Sequence, residues 1–279
     1  MCHYWHGPGR PAAQGSLSAD DFRRLLDAYG FRIVMPGAWI RFNEHSPGHA
    51  AVAITFDDGL REALDVALPV LEERGLTAFW NVYTGPLVGV PNNLERYRWI
   101  RNFAFGSVEA FYVEWEKLLG GPVWCPPDYL SDRTYLSDMD RAFRWWRNER
   151  VTDAEYELAM DDLAGNAPPM RADHWLSAGD LRALRASGHV VGFHTHSHYT
   201  TMAHLSKEQQ ALEYATSKWI LETILNEPVT TCSHPCGSVT EYGKQWMREH
   251  GVTLAWGATM AGTLPYEAPR WSTGLWRKT

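Results

Sequence analysis

Ala51-Val52-Ala53-Ile54 running into Thr55-Phe56-Asp57-Asp58-Gly59 decides how this chain is read: an apolar strand run spills into a turn that carries two adjacent carboxylates. In parallel α/β folds such strand ends are where active sites collect. Neighbouring residues at a strand end point to opposite sides, so Asp57 and Asp58 can take separate roles, one on a metal ion and one on protons. Far downstream, His194-Thr195-His196-Ser197-His198 supplies two imidazoles four residues apart, which share one face if the segment is a helical turn. His196 then points away from that face. A histidine pair with one carboxylate leaves positions open for water and substrate, as catalytic sites require and structural zinc sites avoid. An ion there lowers the pKa of bound water towards neutrality, and a second carboxylate can take the proton. Either motif alone reads equally well as an Asp-Asp-Gly turn or a polar histidine-rich loop; their occurrence together favours the metal site.

Outward from that turn the chain divides into three parts. Residues 1 to about 87 run strand, a helix from the cap-like Ser18-Ala19-Asp20-Asp21, strand, the Asp-Asp-Gly loop, helix 61–74 and strand 76–83. From about 88 to 172 the beat is lost and aromatics and arginines accumulate, as in Tyr97-Arg98-Trp99-Ile100-Arg101 and Trp145-Trp146. This stretch reads as a mainly helical insertion, with helices near 107–119, 136–148 and 152–164. From Ser177 the alternation resumes with a helix, strand 189–193, the histidine motif, helix 207–226, strand 229–234, helix 239–250 and strand 252–256. The expectation is one domain over 1–279, an α/β barrel carrying that insertion.

Composition bounds the function. A net charge of -7 with no compensating basic stretch argues against nucleic acid, and the 45% hydrophobic content never gathers into a membrane-length run. The start of the chain has no apolar leader segment, so a cytoplasmic protein is expected, although a chain trimmed of a leader reads the same. Four cysteines, Cys2, Cys125, Cys232 and Cys236, are too few and too uneven for a disulfide scaffold. Cys232 and Cys236 lack the partner pair of a zinc ribbon and are expected as reduced thiols. Of the 14 tryptophans, Trp80 on a strand and Trp219 on a helix are expected to be buried. Tyr97, Trp99 and Arg101 are placed in an inserted loop and are the candidates for touching substrate, with the insertion expected to cover the site.

The motifs resemble those of the polysaccharide deacetylases, the NodB-homology or carbohydrate esterase 4 family, whose first motif reads Thr-Phe-Asp-Asp-Gly and whose second reads His-(Ser/Thr)-x-(Ser/Thr)-His. The surroundings of both are similar too, from Leu68-Pro69-Val70-Leu71 to Trp80 and from Leu181 to Ser206. The resemblance implies a distorted (β/α) barrel, with Asp57 as catalytic base and Asp58, His194 and His198 holding one divalent ion, zinc first, with cobalt or nickel as alternatives. The chain departs from the family at the third motif, where Arg-x-Pro-(Tyr/Trp)-Gly is replaced by Ser233-His234-Pro235-Cys236-Gly237, closer to a variant branch without the arginine. Arg270, in Pro269-Arg270-Trp271, is the candidate replacement, with a surface arginine as the alternative. The Cys236 backbone N–H would be the oxyanion donor, a role that needs no particular side chain. No Leu-x-His follows His250, so the usual late general acid is missing; His3, His6 and His174 are the candidates, with His234 a further one and also a substrate-binding candidate.

The activity implied is removal of an N-acyl group, acetyl first, from an amino sugar. With no export signal read, a small or nucleotide-linked sugar is expected over a wall polymer, and association into a homo-oligomer is left open. The rivals are an N-deformylase on a formamido sugar, an allantoinase-like cyclic amidase and a catalytically inactive sugar-binding module, which the four retained motif residues disfavour.

Overall fold

A computed structural model describes residues 3–45, 51–131, 136–165, 167–258 and 265–270, so Cys2 lies outside the described residues. They fall into two compact units, one formed by the residues up to Asn92 and from Asp173 onward, the other by Asn93–Ala172. Five strands, β1 (Thr55–Phe56), β2 (Phe79–Val82), β3 (Val190–Phe193), β4 (Thr231–Ser233) and β5 (Leu254–Trp256), belong to the first unit. The helices used below are α1 (Ala19–Tyr29), α2 (Pro36–His45), α3 (Leu68–Glu73), α4 (Leu94–Phe103), α5 (Val108–Leu118), α6 (Asp138–Trp145), α7 (Asp153–Asp162), α8 (Ala178–Ala186), α9 (Lys207–Leu225) and α10 (Glu241–Glu249).

The strands lie side by side in chain order, every neighbouring pair parallel, and curl into half a barrel. Parallel neighbours require a crossover, and helices fill those connections. Ser18 opens α1 with a capping box to Asp21, and Asn226 ends α9 with a left-handed φ of 54°, so both ends are set by local chemistry. The stretch expected as helix 61–74 is a π-helical turn at Ala63–Ala67 running into α3. Pro69 has no N–H to give to the carbonyl four residues back, which is why the turn widens there. Two strand expectations contract. Trp5 and Leu17 meet in a single parallel bridge rather than a ladder, and pairing with β2 begins only at Thr55, where the apolar 51–54 run has ended.

Strand periodicity then sorts side chains onto two faces. Phe56, Trp80, Val82, Val191, Phe193, Cys232 and Ala255 face one way, into a core with Trp5, Phe22, Tyr214 and Trp246. Trp80 stacks on Phe56 at 4.3 Å between ring centroids and donates its indole N–H to His189 Nδ1 at 3.0 Å. Burial depresses the His189 pKa, which keeps the ring neutral and able to accept that bond. The opposite face of the strands carries Phe79, Val190, Leu254 and Trp256 against Trp39. By the same alternation Asn81, Gly192 and Ser233 share this second face, and Asp57 continues it beyond β1. It is crowded. A Cβ on Gly192 would lie 2.7 Å from Asn81 Oδ1 and 2.6 Å from Thr231 Oγ1, so only glycine fits where the strands converge on the site.

Trp219 is not buried: it is 65% exposed on α9. The stripe that α9 buries runs through Gln210, Tyr214, Ser217 and Leu221, and Trp219 falls two residues, or more than half a turn, from Ser217.

The second unit is helical, with α5, α6 and α7 where helices are expected and a π-helical turn at Trp146–Arg150 closing α6. Phe111, Tyr112, Trp115, Phe143 and Trp146 fill its core. Tyr97, Trp99 and Arg101 lie on helix α4 rather than in a loop, because Leu94 to Phe103 places Tyr97 and Ile100 three apart on one buried face. No helix among the described residues is long and apolar enough to cross a membrane.

Candidate active site

Asp57 leaves β1 on the crowded second face and is buried. Its Oδ1 accepts three hydrogen bonds: from Asn81 Nδ2 at 2.9 Å, Ser233 Oγ at 3.0 Å and the Arg270 guanidinium at 2.8 Å. Oδ2 also lies 2.8 Å from that guanidinium and faces His3 Nε2 at 3.6 Å. Burial works against the charge on Asp57, but its neighbours together, Arg270 foremost, outweigh that and hold the carboxyl well below the usual range. Three donors saturate Oδ1, which leaves Oδ2 as the oxygen with capacity for a proton.

Asp58 follows with a left-handed φ of 74°, a conformation Asp tolerates better than most residues. Asp58 Oδ1 meets His194 Nε2 at 3.2 Å and His198 Nε2 at 3.1 Å. The three side chains are buried, and their ligand atoms lie within 4.8 Å of one another.

The histidine segment is not a helical turn. Thr195 and His198 have φ of 59° and 56°, so the two rings converge through left-handed corners in a loop, with centroids 4.9 Å apart. The loop is held from several sides. Glu213 of α9 accepts the backbone N–H groups of His196 and Ser197 at 3.0 and 2.9 Å, Ser217 Oγ donates to the Thr195 carbonyl at 2.9 Å, and Asn92 donates to the Ser197 carbonyl at 2.9 Å. His196 pairs with Thr84 Oγ1 at 3.1 Å, away from Asp58. The His198 ring packs edge-on against Tyr83.

The donor chemistry fits a cation. His194 Nδ1 lies 2.8 Å from the Ser233 carbonyl oxygen, an acceptor only, so Nδ1 carries the proton and a neutral His194 turns a lone pair on Nε2 towards the Asp58 carboxylate. Lone pair against carboxylate oxygen at 3.2 Å is repulsive unless a positive charge lies between them. A metal ion or a proton supplies it.

Other predicted site residues are spread more widely. Arg270 is buried and bonded to both Asp57 and the Gly257 carbonyl, at 2.6 Å, so it is not a surface arginine. Of the proton-donor candidates, His3 comes to Asp57, whereas His6 is tied to Ser16 Oγ at 2.9 Å. His174 packs edge-on to Trp175, which packs on Tyr83, putting two aromatic rings between it and His198. His234 is buried with its Nε2 on the Tyr266 carbonyl at 2.8 Å, and burial pulls its pKa down to about 4, so it is a neutral packing group. Cys236 occupies a turn at Pro235–Gly237 with φ 53°. Cys125, Cys232 and Cys236 are free thiols, and no cysteine joins a cluster able to hold a metal among the described residues.

In the helical unit, Tyr97 is enclosed in the core edge-on to Tyr156 and offers no open face to a sugar. Trp99 donates its indole N–H to the Pro168 carbonyl at 2.6 Å. Arg101 is partly buried on the same helix. Sequence reasoning missed Asn81, Glu213 and Ser217, and gave no role to the Ser233 side chain. Asn81 had a signal, an amide inside the otherwise apolar Phe79-Trp80-Val82 run; the two α9 residues had none.

Residues 163–255 match the family model described as polysaccharide deacetylase. Three solved structures share the fold. IcaB from Ammonifex degensii is 16% identical with a TM-score of 0.58, covering 99% of this chain and 94% of that one. The Streptococcus pyogenes deacetylase PplD, in complex with acetate, is 15% identical at TM-score 0.55, covering 93% and 82%. A de-N-acetylase from Aggregatibacter actinomycetemcomitans is 12% identical at TM-score 0.53, covering 100% and 97%. No curated protein matches the sequence significantly. The chain has the polysaccharide deacetylase fold, a distorted (β/α) barrel of the NodB type, and the stretch that matches the family model includes the histidine motif.

Proposed function

We propose that this protein is a metal-dependent N-deacetylase that hydrolyses the acetamide of an amino sugar, with a small or nucleotide-linked sugar as substrate. The observation that carries the reading is a buried carboxylate, Asp57, ionised and locked on one oxygen, beside the Asp58–His194–His198 cluster. Those three residues would hold one divalent ion, zinc first, with cobalt or nickel as alternatives. Such an ion supplies Lewis acidity, which acidifies water and polarises an amide carbonyl. Asp57 accepts the proton of the attacking water on Oδ2, while Asn81, Ser233 and Arg270 keep its other oxygen from turning. The Cys236 backbone N–H, in the turn that follows Ser233, donates to the oxyanion of the tetrahedral intermediate. His3 protonates the departing amine, because it is the donor candidate that reaches Asp57.

The test is release of acetate against formate from matched N-acetyl and N-formyl amino sugars, each offered free, nucleotide-linked and as oligomers. Acetate from the small substrates is the expected result. Formate alone, turnover of cyclic ureides alone, or no turnover by metal-loaded protein would each replace the reading.

Two variants probe the assignments that the family motifs do not supply. Replacing His3 with Ala is expected to lower amide turnover by about a hundred- to ten-thousand-fold without loss of metal. The rate on an activated ester should fall much less, since its leaving group needs little protonation. A full amide rate in that variant removes His3 from the role. Arg270→Ala is expected to lower turnover and to move the acid limb of the pH–rate profile upward. The sign follows from Asp57: Arg270 is foremost among the neighbours that hold its carboxyl well below the usual range, so without Arg270 it is protonated, and inactive as a base, at higher pH. An unmoved acid limb would show that Arg270 does not govern the base.

A further inference from the structure

We infer that Ser233 is a positioning residue that couples the base to the metal-holding cluster through one hydroxyl, an inference that rests on the reading of the site above. Its side chain is fully buried on β4, with Oγ 3.0 Å from Asp57 Oδ1 and 2.6 Å from His194 Nδ1. A serine hydroxyl has one proton to give. Asp57 Oδ1 also takes the Asn81 amide N–H and the Arg270 guanidinium, which can only donate, so this oxygen is an acceptor, the Ser233 proton points to it, and the Oγ lone pairs face His194. The Nδ1–H of His194 therefore lies between two acceptors of the same residue, Ser233 Oγ and, at 2.8 Å, the Ser233 carbonyl oxygen. Both fix the proton on Nδ1 and the lone pair on Nε2, the atom that faces Asp58 and His198. One residue thus sets the tautomer of His194 and the orientation of Asp57.

The sequence context agrees with this assignment. Ser233 stands where the third motif of the family carries its arginine, and Arg270 reaches Asp57 from a distant segment instead. The small side chain leaves room for that guanidinium and uses its own oxygen to bridge to His194. Outer partners of metal-binding histidines typically change metal affinity by about 10–100-fold when removed.

The test compares Ser233→Ala with Ser233→Thr, which keeps the hydroxyl, using zinc alone as the metal probe against a competing chelator. Ser233→Ala is expected to weaken zinc binding by about 10-fold, the lower end of that range because the carbonyl acceptor remains. At saturating zinc it should lower kcat with little change in KM, and Ser233→Thr should restore both. Imidazole 15N spectra of the unaltered zinc-loaded protein give a reading that needs no variant: His194 is expected to carry its proton on Nδ1 and none on Nε2. Wild-type affinity and kcat in Ser233→Ala, no recovery in a Ser233→Thr protein with wild-type melting, or the opposite His194 tautomer would each overturn the inference. The affinity and tautomer readings use no substrate. They stand or fall separately from the deacetylase reading, which is tested by acetate release from the unaltered enzyme.

Discussion

Asp57→Asn is expected to reduce acetate release by at least about a hundred- to ten-thousand-fold, the usual worth of a general base, while the protein still binds one zinc ion per chain. Asn preserves the size of the side chain and an acceptor oxygen for Ser233 and Arg270, but it cannot take a proton from water. The metal should stay because Asp58, not Asp57, faces His194 and His198. The substitution also leaves Arg270 buried without its counter-charge, and breaking such a pair costs about 3–5 kcal/mol. Melting temperature is therefore measured alongside, and the assays are run well below it. A variant that lost zinc yet remained folded would mean that the roles of the two aspartates are reversed.

His194→Ala is expected to have the largest effect on metal content. It removes one of three ligand atoms and also the hydrogen bonds to Ser233 Oγ and O, so zinc should be lost on dialysis and acetate release should fall to background. Metal analysis by mass spectrometry reads the first effect and an acetate assay the second. Stoichiometric zinc with full activity in this variant would remove the cluster from the reaction.

Much of the fold was legible because its signals are local. Apolar runs, the Ser18 capping box and the alternation of strand and helix are written in contiguous residues, and they placed β2 to β5 and most helices within a few residues. The aromatics and arginines of α4 suggest a substrate-facing loop, whereas Tyr97 and Ile100 point into the core of the second unit. The His194–His198 spacing suggests a helical turn because spacing cannot reveal the left-handed φ of Thr195 and His198 or the bonds from His196 and Ser197 to Glu213. The buried arginine at Asp57 was anticipated only through the missing third-motif arginine. That Ser233 binds both Asp57 and His194 is a three-dimensional fact with no trace in local sequence. Nor could spacing choose among His3, His6 and His174; the distances favour His3, which comes to Asp57.

The most direct measurement is zinc titration of chelator-stripped protein while acetate release from an N-acetylated amino sugar is followed. Activity should be absent in the stripped protein and return in proportion to added zinc, levelling at one ion per chain. Acetate release that survives stripping, with no ion left in the protein, would contradict the account.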